Sequence, residues 1–170
     1  MSTLKLPVSA SDHIQGNINA KIILVEYGDY ECSYCGDAYP IVKKVQKHFG
    51  TELGFVFRNF PLNESHPHAE IAAETAEFAA AHGKFWKMHD LLYENQKHFN
   101  LALMLKLAES LNLSATDLEM ALKNKTFQEK VKNDFMSGVK SGVNGTPAFY
   151  INGVRHDGSF DYADLVQALT

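Results

Sequence analysis

The two cysteines of the chain, Cys32 and Cys35, are separated by only two residues. The apolar segment 22–27 precedes them, and a segment with helical periodicity follows. This order places the pair where a strand passes into the first turn of a helix, which is typical of a redox-active dithiol. Free N–H groups and the positive end of the helix dipole favour a thiolate there. We therefore expect Cys32 to ionise easily and Cys35, one turn along, to lie deeper.

Two other uses of a cysteine pair stay open. The pair could form half of a zinc site completed by His66 and His68, although zinc needs four ligands and Pro67 indicates a loop between the histidines. It could also be an inert disulfide, although a bridge that closes so short a loop stabilises little. The sequence favours redox chemistry over both, so we expect no metal site and treat the two histidines as loop features.

Glu26 is the one charged residue in the apolar segment 22–27. In one interpretation it faces an edge of the sheet or pairs with a cation. In the other it is a buried carboxyl beneath the thiols, where burial raises its pKa. A carboxyl of that kind could exchange a proton with Cys35. Arg58, on the strand predicted next along the chain, is its expected partner.

The composition is that of an ordinary globular protein, with 170 residues, 45% hydrophobic and 21% charged. This length is enough for one domain with a substantial core. A net charge of −4 argues against nucleic acid and anionic membranes as partners. No apolar run approaches the roughly 20 residues of a membrane span. Residues 1–8 lack the apolar stretch of a secretory leader, so we expect a cytoplasmic monomer, or a periplasmic one if a leader has been removed.

Hydrophobic periodicity divides the chain into a strand-rich start, a helical middle and a strand-rich end. Segments 22–27 and 53–60 are predicted strands joined by a helix over 33–49, with a kink at Pro40, which implies a parallel βαβ unit. An edge strand is predicted at 6–8 and a loop at 12–20. Residues 65–141 contain helices only. Ser114 is the predicted N-cap of one of them, and Thr126 begins another.

The final segment predicts a hairpin and a closing helix. Strands at 148–151 and 154–156 flank Asn152-Gly153, a dipeptide typical of a type I′ turn. A helix with apolar residues on one face follows over 160–169.

Five segments of the chain carry specific motifs: VEYGDYECSYC at 25–35, FRNFPL at 57–62, HPHA at 66–69, GKFWKMH at 83–89 and GVNGTPAF at 142–149. Together they resemble the DsbA-like thiol–disulfide oxidoreductases of the thioredoxin superfamily. The resemblance implies an α/β, thioredoxin-like fold of one domain spanning 1–170. Within it a helical insertion at 63–142 separates a βαβ half at 1–62 from a ββα half at 143–170.

The resemblance also implies site residues. Cys32 is the nucleophile, Cys35 resolves the mixed disulfide, and Glu26 is the acidic residue six positions before the first cysteine. Thr146 and Pro147 form a cis-proline segment opposite the thiols, with Thr146 tuning the thiolate. Ser33 and Tyr34 contribute to substrate binding. Ser33 occupies a position that is proline in many members, so the direction of electron flow stays undetermined.

The expected partners are protein or low-molecular-weight thiols and disulfides, including glutathione, with no cofactor. Tyr30 and Tyr34, which flank the thiols, are candidates for an apolar substrate platform. Two alternatives remain: a glutathione-linked transferase or isomerase on a related fold, and a redox-switched binding or chaperone module.

Overall fold

A computed structural model describes residues 2–170. Its five strands form one sheet in the order β1-β3-β2-β4-β5, in which β2 and β3 are parallel and the other neighbours are antiparallel. The strands are β1 (His13–Gln15), β2 (Ile22–Gly28), β3 (Leu53–Asn59), β4 (Ala148–Ile151) and β5 (Val154–His156).

Seven α-helices surround the sheet, and five of them lie between β3 and β4 in the chain. The helices are α1 (Ser33–Phe49), α2 (Ala69–Ala81), α3 (Phe85–Glu94), α4 (Leu101–Ser110), α5 (Ala115–Lys123), α6 (Gln128–Lys140) and α7 (Tyr162–Leu169). The α/β class and the thioredoxin-like order with inserted helices are therefore confirmed. The division of the chain into segments 1–62, 63–142 and 143–170 stays a prediction.

Local signals located several boundaries well. The Ser114 hydroxyl accepts a hydrogen bond from the Asp117 N–H at 3.1 Å, as expected of an N-cap. Asn152 and Gly153 have φ angles of 47° and 86°, as a type I′ turn requires. α1 continues through Pro40 to Phe49. The helix predicted to begin at Thr126 begins instead at Gln128.

The start of the sheet was predicted wrongly. Segment 6–8 forms no strand, and β1 lies at His13–Gln15, within the segment predicted as a loop. The three residues of β1 are too few to show strand periodicity, and their pairing with β3 fixes them. The carbonyls of Leu6 and Pro7 accept hydrogen bonds from the Arg58 guanidinium instead of joining the sheet.

The central strands are buried on both faces, and alternate residues enter two different apolar clusters. Leu24 of β2 and Phe55 and Phe57 of β3 belong to the larger cluster, which also contains both cysteines. Val25 and Val56 belong to the smaller cluster on the opposite face. Because strand side chains alternate, Glu26 shares the face of Leu24 and therefore lies on the side of the cysteines.

No helix within residues 2–170 is both long and apolar enough to span a membrane.

Candidate active site

Cys32 lies where the loop after β2 enters α1. It is the N-cap of the helix, with extended backbone angles (φ −73°, ψ 125°), and its carbonyl accepts a hydrogen bond from the Gly36 N–H at 3.0 Å. Cys35 follows in the first turn. Both are free thiols. The pair therefore lies at a strand-to-helix junction, where the sequence predicted it.

The surroundings of Cys32 favour its thiolate. The pKa of Cys32 is lowered to about 5, first by a hydrogen bond with the Cys35 thiol and further by the Thr146 side chain and the N–H groups of Cys35 and Tyr34. Burial opposes these contributions but does not cancel them. A thiol of this kind is largely ionised near neutral pH, which is the state that attacks disulfides.

Cys35, three residues later in the chain, has a raised pKa, whereas that of Cys32 is lowered. Its side chain is fully buried, and burial raises its pKa well above the ordinary value. The charges of Cys32 and Glu26 act in the same direction. Cys35 therefore holds its proton while Cys32 releases one.

Glu26 is buried beneath the pair and is 2% exposed. Burial, followed by the charge on Cys32, raises its pKa to about 8. Among the described residues 2–170, its Oε1 has no hydrogen-bond partner. It borders a cavity of about 10 Å³ that extends towards Tyr93, Gln46 and Lys43. A space of this size accommodates about one water molecule.

Arg58 does not pair with Glu26, contrary to the expectation from sequence. Its guanidinium donates two hydrogen bonds to the Asp12 carboxylate, from Nε to Oδ1 at 2.8 Å and from a terminal nitrogen to Oδ2 at 3.0 Å. It also donates to the Tyr27 hydroxyl at 2.9 Å. In the parallel register Glu26 lies opposite Phe57, whereas Arg58 lies opposite Tyr27. Adjacent strand residues face opposite sides of a sheet, so Arg58 cannot reach the Glu26 face.

Thr146 and Pro147 face the thiols from the start of β4. The peptide bond between them is cis. The Cys32 thiol donates to the Thr146 carbonyl over 3.6 Å. Within residues 2–170, the Thr146 hydroxyl oxygen is buried without a hydrogen-bond partner, so it is free to donate to a thiolate. Thr146 thus offers Cys32 both its backbone carbonyl and its side-chain hydroxyl.

A groove of about 260 Å³ runs beside this segment. Tyr34, Thr146, Pro147, His156 and Phe160 contribute to its walls. Tyr34 is 65% exposed and Ser33 is also exposed, so both are available to a bound chain. Cys32 itself is 5% exposed, and its sulfur contacts Thr146, one of the residues that line the groove.

Tyr30 is not part of a surface platform, contrary to expectation. It is 1% exposed, and its hydroxyl is hydrogen-bonded to the Nδ1 atom of His89 on α3 at 2.8 Å. The sequence signal was ambiguous because the loop between Gly28 and Cys32 has no periodicity from which a side can be read.

The histidines of the 66–68 segment bind carboxylates of the loop before Cys32. His66 Nδ1 lies 2.7 Å from Asp29 Oδ2, and His68 Nδ1 lies 3.1 Å from Glu31 Oε2. The prediction that they are loop features describes them correctly but missed their partners. The matching two-residue spacing of acids and histidines was the available signal.

A family model described as thioredoxin matches residues 9–170. The chain belongs to the thioredoxin family.

A curated relative, the Na(+)/H(+) antiporter NhaA 1 of Salinispora arenicola, is 40% identical over 168 residues, which cover 98% of this chain and 26% of the antiporter. This thioredoxin-family chain thus spans about a quarter of the length of the curated relatives that it matches.

Solved structures share the fold. Oxidised BdbD of Bacillus subtilis superposes with a TM-score of 0.88 at 24% identity, covering 99% of this chain and 96% of that one. MdbA of Corynebacterium diphtheriae, a thiol-disulfide oxidoreductase, superposes with a TM-score of 0.73 at 16% identity, covering 94% and 90%. The chain therefore has the thioredoxin-like fold of DsbA-like proteins.

Gln96 is a further residue at the site of this thioredoxin-family chain, and the sequence did not identify it. It lies in a short 3₁₀ turn, Gln96–His98, between α3 and α4. Its amide nitrogen donates to the carbonyls of Tyr30 at 2.9 Å and Cys32 at 2.6 Å. A Cβ atom on Gly36 would collide with the Gln96 amide oxygen. The inserted helices thus fix the backbone on which Cys32 is mounted.

Proposed function

We propose that this chain catalyses thiol–disulfide exchange with protein or small-molecule partners through Cys32 and Cys35. The observation that carries the proposal is the contrast within the pair, an N-cap thiol with a pKa near 5 touching a buried thiol that stays protonated. This is the arrangement of one attacking and one resolving group. It uses no metal and no organic cofactor.

In the direction of client oxidation, a client thiolate attacks the Cys32 sulfur of the Cys32–Cys35 disulfide. A client–Cys32 disulfide forms and Cys35 leaves as a thiolate, which takes a proton. A second client thiolate then attacks the client sulfur of that mixed disulfide. The client disulfide forms, Cys32 leaves as a thiolate, and the two electrons stay on the pair. In the reverse direction Cys35 attacks the mixed disulfide and releases the client thiol.

Glu26 is proposed as the group that exchanges the Cys35 proton. Its pKa of about 8 lies near neutral, where a general acid–base group works best. It faces the same cluster as Cys35, and the small cavity beside it offers room for a water molecule. We propose that the proton leaves Glu26 through a water molecule in this cavity, whose walls include Gln46 and Lys43.

The client is proposed to bind across the groove beside Thr146 and Pro147, which Tyr34 also lines, and to contact the exposed neighbour of Tyr34, Ser33. An extended segment there lies against the start of β4 and can hydrogen-bond to the backbone as an added strand. Glutathione is small enough to reach Cys32 without filling this groove.

We propose that the pair acts as an oxidant of dithiols. A thiolate with a low pKa stabilises the reduced form and is also the better leaving group, so the disulfide is readily given up. This direction suits an oxidising compartment. The reduction potential of the pair decides between an oxidant and a reductant.

The test is an equilibrium titration of the pair in defined glutathione buffers, with Cys35→Ser as the trapping variant. A potential near about −120 mV would support an oxidant, and one near about −270 mV a reductase. Cys35→Ser should accumulate client disulfides through Cys32, and Cys32→Ser should form none. If neither thiol responds to glutathione, the enzyme proposal is wrong, and the binding-module alternative is reopened.

A second candidate function follows from the antiporter relatives. The match to about a quarter of a Na(+)/H(+) antiporter favours a redox module that works beside a membrane transporter. Coexpression of Cys35→Ser with such an antiporter tests it. A mixed disulfide between the two would support the module, and its absence, with other clients trapped, would leave general disulfide exchange. Monomeric behaviour in light scattering is expected in either case.

A further inference from the structure

Tyr93 lies on the buried face of α3, the second of the five helices between β3 and β4. The buried residues of this helix recur at three- and four-residue spacing, as expected of a face packed on a core. They are Phe85, Met88, His89, Leu92 and Tyr93. The Tyr93 ring packs against the rings of Tyr30 and Tyr39, with centroids 4.9 and 5.2 Å away. These contacts hold the ring, and therefore its hydroxyl, in one place.

The Tyr93 hydroxyl lies beside β2, close to Glu26. A Cβ atom added to Gly28 would lie 3.1 Å from the hydroxyl oxygen, so the hydroxyl borders the space that a side chain at position 28 would fill. Positions 26 and 28 are two residues apart on one strand and therefore share a face. Such positions are about 7 Å apart, a gap that a glutamate side chain and one water molecule can close.

The two side chains each bring a buried polar atom that has no protein partner. Glu26 is 2% exposed and Tyr93 is 7% exposed. Among residues 2–170, neither Glu26 Oε1 nor the Tyr93 hydroxyl has a hydrogen-bond partner. Both residues border the cavity of about 10 Å³. One water molecule there can accept a hydrogen bond from the hydroxyl and donate one to the carboxylate, which satisfies both groups.

The outer wall of the cavity is formed by side chains of α1 that already have partners. The Gln46 amide nitrogen donates to Gln15 Oε1 at 2.8 Å. Lys43 Nζ pairs with Asp90 Oδ1 at 2.9 Å. Gln46 and Lys43 are half-buried, so this wall separates the cavity from solvent. A proton that leaves the cavity on this side reaches solvent.

The titratable groups around the cavity leave Tyr93 as a hydroxyl donor over a wide pH range. Burial raises the pKa of Tyr93 well above its ordinary value, so the hydroxyl keeps its proton. His89 is neutral, because burial lowers its pKa, and its Nδ1 is already hydrogen-bonded to the Tyr30 hydroxyl. The charge on Cys32 acts on Glu26 and raises its pKa further than burial alone.

We propose that Glu26 and Tyr93 bind one water molecule between them, and that Tyr93 is thereby a positioning residue for the proton that Glu26 exchanges. When Cys35 attacks the Cys32 sulfur of a mixed disulfide, its thiol proton passes to the Glu26 carboxylate. The Cys32–Cys35 bond forms and the client leaves as a thiolate. The Glu26 carboxyl then gives a proton to the water, the water passes one on to solvent, and the carboxylate is restored. This inference rests on the proposed function.

The first test is the titration of Glu26 in Tyr93→Phe, which removes the hydroxyl and keeps the ring. Carbon-13 NMR of the reduced protein, labelled at the glutamate carboxyl carbons, follows Glu26 through its midpoint near pH 8. Tyr93→Phe should raise this midpoint by about one pH unit, because the carboxylate loses a hydrogen bond. Tyr39→Phe is the matched control. Its hydroxyl faces Asp90 and Glu94 instead, so the midpoint should not change.

Crystal structures of the reduced wild type and of Tyr93→Phe test the water site directly. Wild type should show a water molecule within about 3.2 Å of both Glu26 Oε1 and the Tyr93 hydroxyl oxygen. Tyr93→Phe should lose it. A dry cavity in wild type, or a direct hydrogen bond between the two side chains, would overturn the proposal.

A kinetic test asks whether Tyr93 acts through Glu26. Oxidation by glutathione disulfide, quenched with acid and followed by mass spectrometry, gives the rate at which Cys35 closes the ring. At pH 7, Tyr93→Phe should slow this step about three- to tenfold in the wild-type background and less than about twofold in Glu26→Gln. Equal slowing in both backgrounds would indicate general loosening and would overturn the positioning role.

Failure of this inference is distinguishable from failure of the proposed function. If Tyr93→Phe leaves the Glu26 midpoint unchanged while the thiols still exchange with glutathione, only the inference is wrong. If the wild-type thiols do not react with glutathione, the proposed function is wrong and Tyr93 has no role in proton exchange. The titration and the crystal structures then still decide whether the two residues bind a water molecule.

Discussion

Cys32 and Cys35 are one helical turn apart but belong to two different regions. Cys32 lies at the open side of the site, beside the Thr146–Pro147 segment and the groove. Cys35 lies in the closed side, fully buried in the larger core cluster with Glu26 beneath. One side admits a partner and stabilises a thiolate, while the other excludes water and holds a proton. A single turn of α1 is therefore enough to shift the pKa values of two identical side chains in opposite directions.

The largest expected effect is on thiol titration. In the reduced protein, thiolate absorbance should rise with a midpoint near pH 5 for Cys32, and Cys35 should stay protonated to well above the ordinary cysteine range. Cys35→Ala should raise the midpoint most, because it removes the thiol that is the main donor to Cys32. Thr146→Val should raise it by less. Two overlapping titrations near pH 9 would remove the contrast between the two sides.

The free energy of unfolding of the reduced protein should depend on the ionisation of Cys32. The folded pKa of Cys32 lies below its unfolded value, so the thiolate stabilises the reduced fold fully above about pH 9 and not at all below about pH 5. The advantage of reduced wild type over Cys32→Ser in urea unfolding should therefore grow between these limits. An advantage that grew towards acid would contradict the assigned direction.

Glu26→Gln tests the closed side. The raised pKa of Glu26 means that its contribution to stability is complete below about pH 4.5 and is lost as the pH rises to about 8. Relative to the variant, reduced wild type should lose on the order of 5 kcal/mol across this range. Urea unfolding at several pH values measures the loss. The variant should also slow the proton-coupled Cys35 step at least about tenfold.

Gln96→Ala tests how the inserted helices hold the Cys32 backbone. Loss of two hydrogen bonds should lower the free energy of unfolding by about 1–2 kcal/mol. Gly36→Ala should displace the same amide, offset by about 1 kcal/mol of better helix propensity. The double variant should lose less than the sum, since both act on one contact. Lys97→Ala, an exposed change in the same turn, is the control, and strict additivity would argue against the shared contact.

Tyr34→Ala tests the open side, where the smallest effect on the fold is expected. Because Tyr34 is 65% exposed, stability should change by less than about 0.5 kcal/mol. KM for a thiol-containing peptide should rise about three- to tenfold, whereas the reaction with glutathione should not change. Tyr162→Ala on α7 is the matched control. Equal effects on peptide and glutathione would mean that the groove does not bind the peptide.

Continuous patterns predicted most of the fold. β2 and β3 are long apolar runs, and Asn152-Gly153 fixes its turn by local backbone preference, so both could be read directly. β1 could not, because three residues carry no periodicity and only pairing with β3 makes them a strand. The Cys pair was found for the same local reason as the turn: its spacing and its position before a helix are properties of adjacent residues.

By itself, the sequence determined where the two thiols lie at the start of α1 and in what order. It also identified Glu26 as a carboxyl within the apolar strand before them. Only the tertiary structure decided which of these residues are in contact. Because of the strand register, Arg58 pairs with Asp12 rather than with Glu26. Chain folding brought Gln96 to the Cys32 carbonyl across 64 positions and His66 to Asp29 across 37. Such pairings depend on packing between distant segments, so the residue types around each position do not fix its partner.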